Sequence, residues 1–256
     1  MFKKLAAKMG AGAASVDAVL STPTVRPGEQ VTGIVHVRGG EIEQEINRIT
    51  VALETVVEVE TDDSEFNSTQ RFATQPITGG MTVYPGENKQ FPFTLQVPWE
   101  TPLTHIEGHQ LPGVRMGVRT ELEIARSVDK GDLDPVQIVS MLGQTQLMEA
   151  LAQLGFRFKS ADVEKGKLRG ATLPFFQEIE FHPGPEFRGK FNELEVTFLG
   201  GPQETRVIFE ADQKGTWFSE GNDASSWFSI PSHGGGDLVG LVQQQLHSLG
   251  QRRGWF

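Results

Sequence analysis

The stretch that decides the fold occupies residues 48–60 and has the sequence Arg-Ile-Thr-Val-Ala-Leu-Glu-Thr-Val-Val-Glu-Val-Glu. Its apolar residues fall on alternate positions, and this set comprises Ile49, Val51, Leu53, Val57 and Val59. The opposite set is polar or charged and comprises Arg48, Thr50, Glu54, Glu58 and Glu60. A period of two is the spacing of a β-strand with one buried and one solvated face. The stretch therefore predicts a long strand in an antiparallel sheet.

The same alternation recurs on both sides of this stretch. It covers 31–38, 90–97 and 115–124 in the first half, and 156–159, 178–181, 193–198, 206–212 and 227–231 in the second. Turns such as Pro27-Gly28 and Pro85-Gly86 separate the early strands, because proline presets φ and glycine accepts a positive φ. Short strands without intervening helices predict a β-sandwich over residues 14–127, and the chain as a whole is predicted to be mainly β.

Two helices are predicted in the second half. Asp134-Pro135 resembles a helix start, with an acidic N-cap and proline at the first position, and Gly155 provides a stop. The predicted helix, 136–154, has apolar residues around much of its circumference. We therefore expect it to brace the two halves against each other, although it could instead belong wholly to the second half. A second helix is predicted from Asp237 to about Gly250.

These elements divide the chain into two predicted β-sandwich domains. The N-terminal domain covers residues 1–127, a polar linker covers 128–134, and the C-terminal domain with its two helices covers 135–256. The predicted fold class is thus mainly β, with two antiparallel sandwiches, one helix after the linker and one helix at the C-terminus.

Composition excludes several classes of function. The 256 residues contain no cysteine, which rules out disulfides, thiolate metal sites and thiol nucleophiles. Against 23 Lys and Arg stand 33 Asp and Glu, a net charge of −10 that opposes binding to nucleic acids and to anionic membranes. Lys8 interrupts the apolar residues at the start of the chain, so no signal peptide is predicted. We expect a cytoplasmic protein.

The segment His105-Ile106-Glu107-Gly108-His109 is the strongest catalytic candidate. Two histidines and a glutamate could hold zinc for a metal-dependent hydrolase, with His105, Glu107 and His109 as the candidate ligands. A zincin motif needs a helix, which Gly108 and the prolines on both sides of the segment disfavour. An exposed loop at the edge of a sandwich is the competing interpretation.

Other candidates point to binding rather than to catalysis. Asp62-Asp63-Ser64-Glu65 could offer oxygens to calcium, or could form a solvated hairpin tip. The pairs Trp217-Phe218 and Trp227-Phe228 could stack on a sugar, or could belong to the core. The N-terminal lysines could contact a membrane, and the tail Arg252–Phe256 could bind a partner. No nucleophile–base arrangement and no phosphate-binding loop can be assigned, so neither catalytic residues nor cofactors are predicted.

Several stretches together resemble a known family. They are Gly-Ala-Ala-Ser-Val-Asp at 12–17, Val-Arg-Pro-Gly-Glu-Gln-Val-Thr-Gly at 25–33, Val-His-Val-Arg-Gly-Gly at 35–40 and Tyr-Pro-Gly-Glu at 84–87. In this order they resemble the SpoOM sporulation-control family and, more distantly, the arrestins. The resemblance implies a pair of arrestin-like sandwiches that act as a cytoplasmic regulator without known catalysis, and it carries no site residues.

The partners of such a regulator would be proteins. We expect cytoplasmic signalling or cell-division proteins, and a homodimer formed through exposed sheet edges is also possible, because unpaired strands can pair with another chain. A glycan-binding or membrane-binding sandwich is the remaining alternative.

Overall fold

The computed structural model describes residues 12–61, 64–211 and 225–251. The strands of the first half are β1 Ser15–Leu20, β2 Thr24–Val25, β3 Gln30–Arg38, β4 Gln44–Thr61, β5 Ser64–Thr78, β6 Met81–Val83, β7 Asn88–Gln96, β8 His105–Ile106, β9 His109–Gln110, β10 Met116–Ile124, β11 Lys130–Pro135 and β12 Gln137–Ile138. The second half contains α1 Leu142–Gln153, β13 Arg157–Lys165, β14 Phe175–His182, β15 Leu194–Leu199, β16 Glu204–Ala211, β17 Ser225–Pro231 and α2 Leu238–Gln251. The prediction of a mainly β chain with two helices is confirmed.

The first half consists of two packed sheets. One sheet has the order β1-β3-β7, and the other is built on β4, which pairs with β10, β5 and β6. The apolar positions of the deciding stretch face the space between the sheets, where Ile49, Val51 and Leu53 are fully buried. Val31 and Val35 of β3 are equally buried and belong to the same core. The period-two pattern therefore oriented β4 correctly.

The second half extends the larger sheet. Its described strands continue in the order β13-β14-β15-β16-β17, and β13 joins β4 through a parallel pairing of Glu164 with Glu58. The helix α2 packs against β16 and β17, and Ser226 of β17 donates a hydrogen bond of 2.6 Å to Gln245 of α2. Neither helix in the described part of the chain has the length and apolarity that crossing a membrane requires.

The segment predicted as a linker and helix start is a strand instead. Residues 130–135 form β11, which pairs antiparallel with β10 from Leu122↔Lys130 to Gly117↔Pro135. Helix α1 begins only at Leu142. The prediction was wrong because Asp-Pro also suits the end of an edge strand, where the missing N–H of proline leaves no ladder hydrogen bond unmade.

The C-terminal end of α1 and both ends of α2 were predicted more accurately than the start of α1. Gly155 has φ 83°, as expected for a glycine that terminates a helix, and α2 covers the predicted C-terminal helix within one residue at each end. The main packing partner of α1 is α2, and Gly143 of α1 donates a hydrogen bond to the carbonyl of Ser232 in the same half. These contacts favour the alternative interpretation, in which α1 belongs to the second half.

Contacts other than α1 hold the halves together. The buried side chain of Gln177 on β14 accepts a hydrogen bond from the N–H of Leu103 and donates one to its carbonyl, each at 2.8 Å. Nearby, the rings of Phe72 and Phe175 meet edge to face with centroids 5.0 Å apart. Because these contacts are buried and directional, they fix how the second half sits against the first.

Replacing Gln177 with alanine should destabilise the whole protein. Gln177→Ala leaves the buried N–H and carbonyl of Leu103 without partners, a loss of about 1–3 kcal/mol. We expect a melting temperature lower by several degrees in circular dichroism. The control is Gln30→Ala, which removes an exposed hydrogen bond to Gln96. Equal melting temperatures for the two variants would contradict the assigned role of Gln177.

Candidate functional site: an acidic sheet face

The segment predicted as a possible zinc site forms a tight hairpin. His105 lies on β8 and His109 on β9, and the turn between them places Glu107 at φ 50° and Gly108 at φ 77°. His105 Nδ1 is 2.9 Å from the hydroxyl of Thr104. Among the described residues, the groups of three acidic or histidine side chains whose ligating atoms lie within 4.8 Å of one another include none from this hairpin. The structure therefore does not bring these three candidates together.

His105 lines an open cavity of about 550 Å³ in the first half, together with Glu54. The Glu54 carboxylate is 2.9 and 3.0 Å from two nitrogens of Arg119, and 2.9 Å from Nε of Arg71. The hydrogen bonds from Arg119, reinforced by Arg71, hold the pKa of Glu54 below its ordinary value although burial opposes this. Glu54 is thus an ionised anchor for two arginines.

Replacing Glu54 should destabilise the protein in a pH-dependent way. Because the folded-state pKa of Glu54 is depressed, its contribution is complete above the ordinary value of 4.5 and is lost as pH falls through the folded-state pKa. We expect Glu54→Gln to lower the free energy of unfolding by about 2 kcal/mol at neutral pH, measured by urea denaturation. The difference from the unsubstituted protein should shrink in acid. A difference that stays constant down to strongly acidic pH would contradict this account.

A continuous row of carboxylates crosses the larger sheet from β5 to β16. Strand register creates it, because residues paired across neighbouring strands project from the same side of the sheet. The pairs are Glu60↔Glu65, Glu58↔Glu164, Asp162↔Glu178, Glu180↔Glu195 and Glu195↔Glu210. We call these residues the acidic face. It lies opposite the core residues Ile179 and Val196, which are fully buried.

The centre of the acidic face is formed by Asp162, Glu164 and Glu178. Their ligating oxygens all lie within 4.8 Å of one another. Glu164 and Glu178 are each only 6% exposed, and Oδ1 of Asp162 is buried without a hydrogen-bond partner among the described residues. The same closeness holds for Glu178 with Glu195 and Glu210. Carboxyl groups are therefore concentrated around two glutamates that are largely shielded from water.

This crowding changes the protonation of the central carboxylates. Burial, and then repulsion from Glu195 and Asp162, raises the pKa of Glu178 to about 9. Burial and repulsion from Asp162 and Glu58 raise the pKa of Glu164 to about 8. Burial likewise raises the pKa of Asp162 to about 6. At neutral pH, Glu164 and Glu178 thus favour the protonated form when no cation compensates their charge.

The margins of the acidic face behave differently from its centre. Lys159 bonds both Glu180 and Glu193, and these hydrogen bonds raise the pKa of the lysine. At the other margin, burial and a hydrogen bond shared with Glu65 raise the pKa of Glu58 to about 7. Lys159 therefore compensates the negative charge at one margin, whereas Glu58 and Glu65 at the other margin share a hydrogen bond.

The remaining predicted sites lie partly outside the described residues. Asp62, Asp63, Trp217-Phe218, the N-terminal lysines and Arg252–Phe256 are all outside them. Ser64 and Glu65 begin β5, which pairs with β4 as the second arm of a hairpin. Trp227 and Phe228 are neighbours on β17 but differ in their surroundings. Trp227 is 41% exposed, whereas the ring of Phe228 packs edge-on against the ring of Phe209, with centroids 5.0 Å apart.

The acidic face as a unit is not apparent from the sequence pattern. The pattern places Glu178 and Glu180 opposite Ile179 and Phe181, which indicates a solvated side. Acids at alternate positions of several strands were a signal that could have been used. That alternation does not reveal the order of the strands, and it is this order that places the acids side by side.

The comparisons with known proteins agree with the fold. The family model described as SpoOM protein matches residues 2–215. The chain belongs to the SpoOM family. The resemblance recognised from its turns and first strands is thereby confirmed.

Relatives of the SpoOM family extend this result. The sporulation-control protein spo0M of Bacillus subtilis (strain 168) is 39% identical over 214 residues, which are 83% of this chain and 81% of that protein. The crystal structure of Spo0M from Bacillus subtilis superposes with a TM-score of 0.83 at 32% identity, over 93% of this chain and 99% of that one. The mainly β fold of this SpoOM protein is shown, and the relationship supports a regulatory role.

Proposed function

We propose that this SpoOM protein is a non-catalytic regulator that acts in the cytoplasm by binding other proteins. The observation that carries the proposal is the 39% identity, over 83% of the chain, to a protein named for sporulation control. The mechanism, protein binding, is inferred from two surfaces of the structure. These are the edge of β5 that no described strand pairs with, and the acidic face.

The strand β5 offers an edge for pairing with a partner. It has 15 residues, and among the described strands it pairs only with β4. Its register with β4 is regular from Ser64 to Phe72, whereas register shifts and the positive φ of Ala73 interrupt the remainder. A regular unpaired edge can accept an added strand through main-chain hydrogen bonds.

An apolar side chain accompanies this edge. Phe66 shares its side of the sheet with the buried Phe72, but it lies beyond the part that the sandwich core covers and is 51% exposed. Partner recognition by an added strand combines backbone pairing with side-chain contacts of this kind. Phe66 is accordingly the anchor that we assign to this interface.

The negative charge of the protein favours a partner with a basic surface. The acidic face begins at Glu60 and Glu65, next to the same edge, and the chain carries a net charge of −10. A partner with a basic surface would be attracted there, whereas nucleic acids would be repelled. Signalling or cell-division proteins are the partners we propose, with a homodimer through the β5 edges as a further possibility.

The regulatory role can be tested by complementation. We expect this chain to change the sporulation frequency of a Bacillus subtilis strain that lacks spo0M back towards that of the parent strain. The control is Val51→Asp, which places a charge in the fully buried core and should abolish the effect by unfolding the protein. Unchanged sporulation with normally accumulated, folded protein would refute the proposed role.

The β5 interface can be tested by site-specific cross-linking. A photoreactive phenylalanine analogue at Phe66 should cross-link a partner protein, or a second copy of the chain, in living cells. The same analogue at Tyr84, which is similarly exposed at 55% but lies in the turn between β6 and β7, provides the matched control. Products that are identical from both positions, or that Phe66→Ser protein suppresses as strongly as an equal amount of the unsubstituted protein, would count against this interface.

A further inference from the structure

We propose that Asp162, Glu164 and Glu178 form a binding site for a divalent cation of the hard, oxygen-preferring class. The convergence of their ligating oxygens within 4.8 Å is the geometric basis. Carboxylate oxygens without nitrogen or sulfur donors suit Ca²⁺, Mg²⁺ and Mn²⁺. This site lies at the centre of the acidic face, on β13 and β14 rather than on β5, and it does not depend on the proposed regulatory role.

Neighbouring strands hold the three carboxylates in place. Asp162 and Glu164 are two residues apart on β13 and therefore project from the same side, and Glu178 is the cross-strand partner of Asp162 on β14. The pairing of β13 with β14 is antiparallel and extends from Arg157 to Lys165. The site is thus built on rigid elements rather than on loops, which favours a defined coordination geometry.

Two of these side chains are buried without a counter-charge, which independently indicates a ligand. Glu164 and Glu178 are more than nine-tenths buried, and neither makes a hydrogen bond or an ion pair with the described residues. Glu54, which is buried to the same extent at 7% exposure, has two arginines as partners. A buried carboxylate without such a partner is costly, and a bound cation would remove the cost.

The degree of burial favours a metal ion over a basic side chain of another protein. The guanidinium or ammonium group of a docking partner would have to reach carboxylates that the fold already covers. A monatomic cation needs only the small space between the oxygens.

Calorimetry on the full-length, chelator-treated protein tests the proposal. We expect at least one of CaCl₂, MgCl₂ and MnCl₂, titrated at constant ionic strength, to show saturable binding with a stoichiometry of one and a dissociation constant below about 1 mM. The same salt should raise the melting temperature, because the cation binds only the folded chain. Absence of saturable binding for all three cations would overturn the proposal.

Variants locate the cation. Glu178→Gln and Asp162→Asn remove one ligand charge each with little change of shape, and should weaken binding by at least about tenfold. The matched control is Glu123→Gln, which removes the same charge from an exposed carboxylate paired with Arg48 at 3.1 Å on the first-half sheet. Equal weakening by Glu123→Gln would mean diffuse ion attraction and would overturn the site, as would unchanged binding in Glu178→Gln.

A measurement on the unsubstituted protein makes the test independent of how the variants fold. Substoichiometric Mn²⁺ should broaden amide signals in nuclear magnetic resonance spectra, and those of β13 and β14 around Asp162, Glu164 and Glu178 should broaden first. First broadening at any other part of the chain would overturn the assignment.

Discussion

The parallel contact between β4 and β13, at Glu58 and Glu164, is the constraint on which the rest of the structure depends. It joins the larger sheet of the first half to the strands of the second, so that one sheet runs through both. Gln177 and the Phe72–Phe175 contact lie close to this junction in the fold and stabilise it from the core side. The same junction aligns acidic residues that are distant in sequence. The contact between β4 and β13 thus underlies both the continuous sheet and the acidic face.

Two carboxyl groups on this sheet, those of Glu54 and Glu178, differ in whether they are ionised, and the groups around them explain the difference. Glu54 is ionised because Arg119 and Arg71 compensate its charge, whereas Glu178 favours the neutral form because it is buried and its neighbours are also acidic. The two side chains are almost equally buried. Burial disfavours the charged form of both carboxylates; the arginines outweigh this effect at Glu54, whereas acidic neighbours add to it at Glu178. This difference separates an anchor that stabilises the fold from a cluster that is suited to a cation.

For a member of the SpoOM family, the surfaces of the structure are stronger candidates for interaction sites than its cavity. The cavity beside His105 contains a carboxylate already bound by two arginines, whereas β5 has one edge that no described strand pairs with, and the centre of the acidic face gathers three carboxyl groups. A regulator needs surfaces that a partner or an ion can complete. In this protein such surfaces lie along one sheet.

The sequence by itself determined the β class, the faces of β3, β4, β7 and β10, the glycine that ends α1 and the C-terminal helix, because periodicity and turn chemistry are local properties. It also contained the SpoOM resemblance. It misassigned residues 130–135, where Asp134-Pro135 suits either a helix start or an edge strand, and only pairing with β10 decided between them. It placed Glu178 on a solvated side without indicating its burial or its neighbours. Only the tertiary structure decided those, because strand order and register join residues that no local pattern connects.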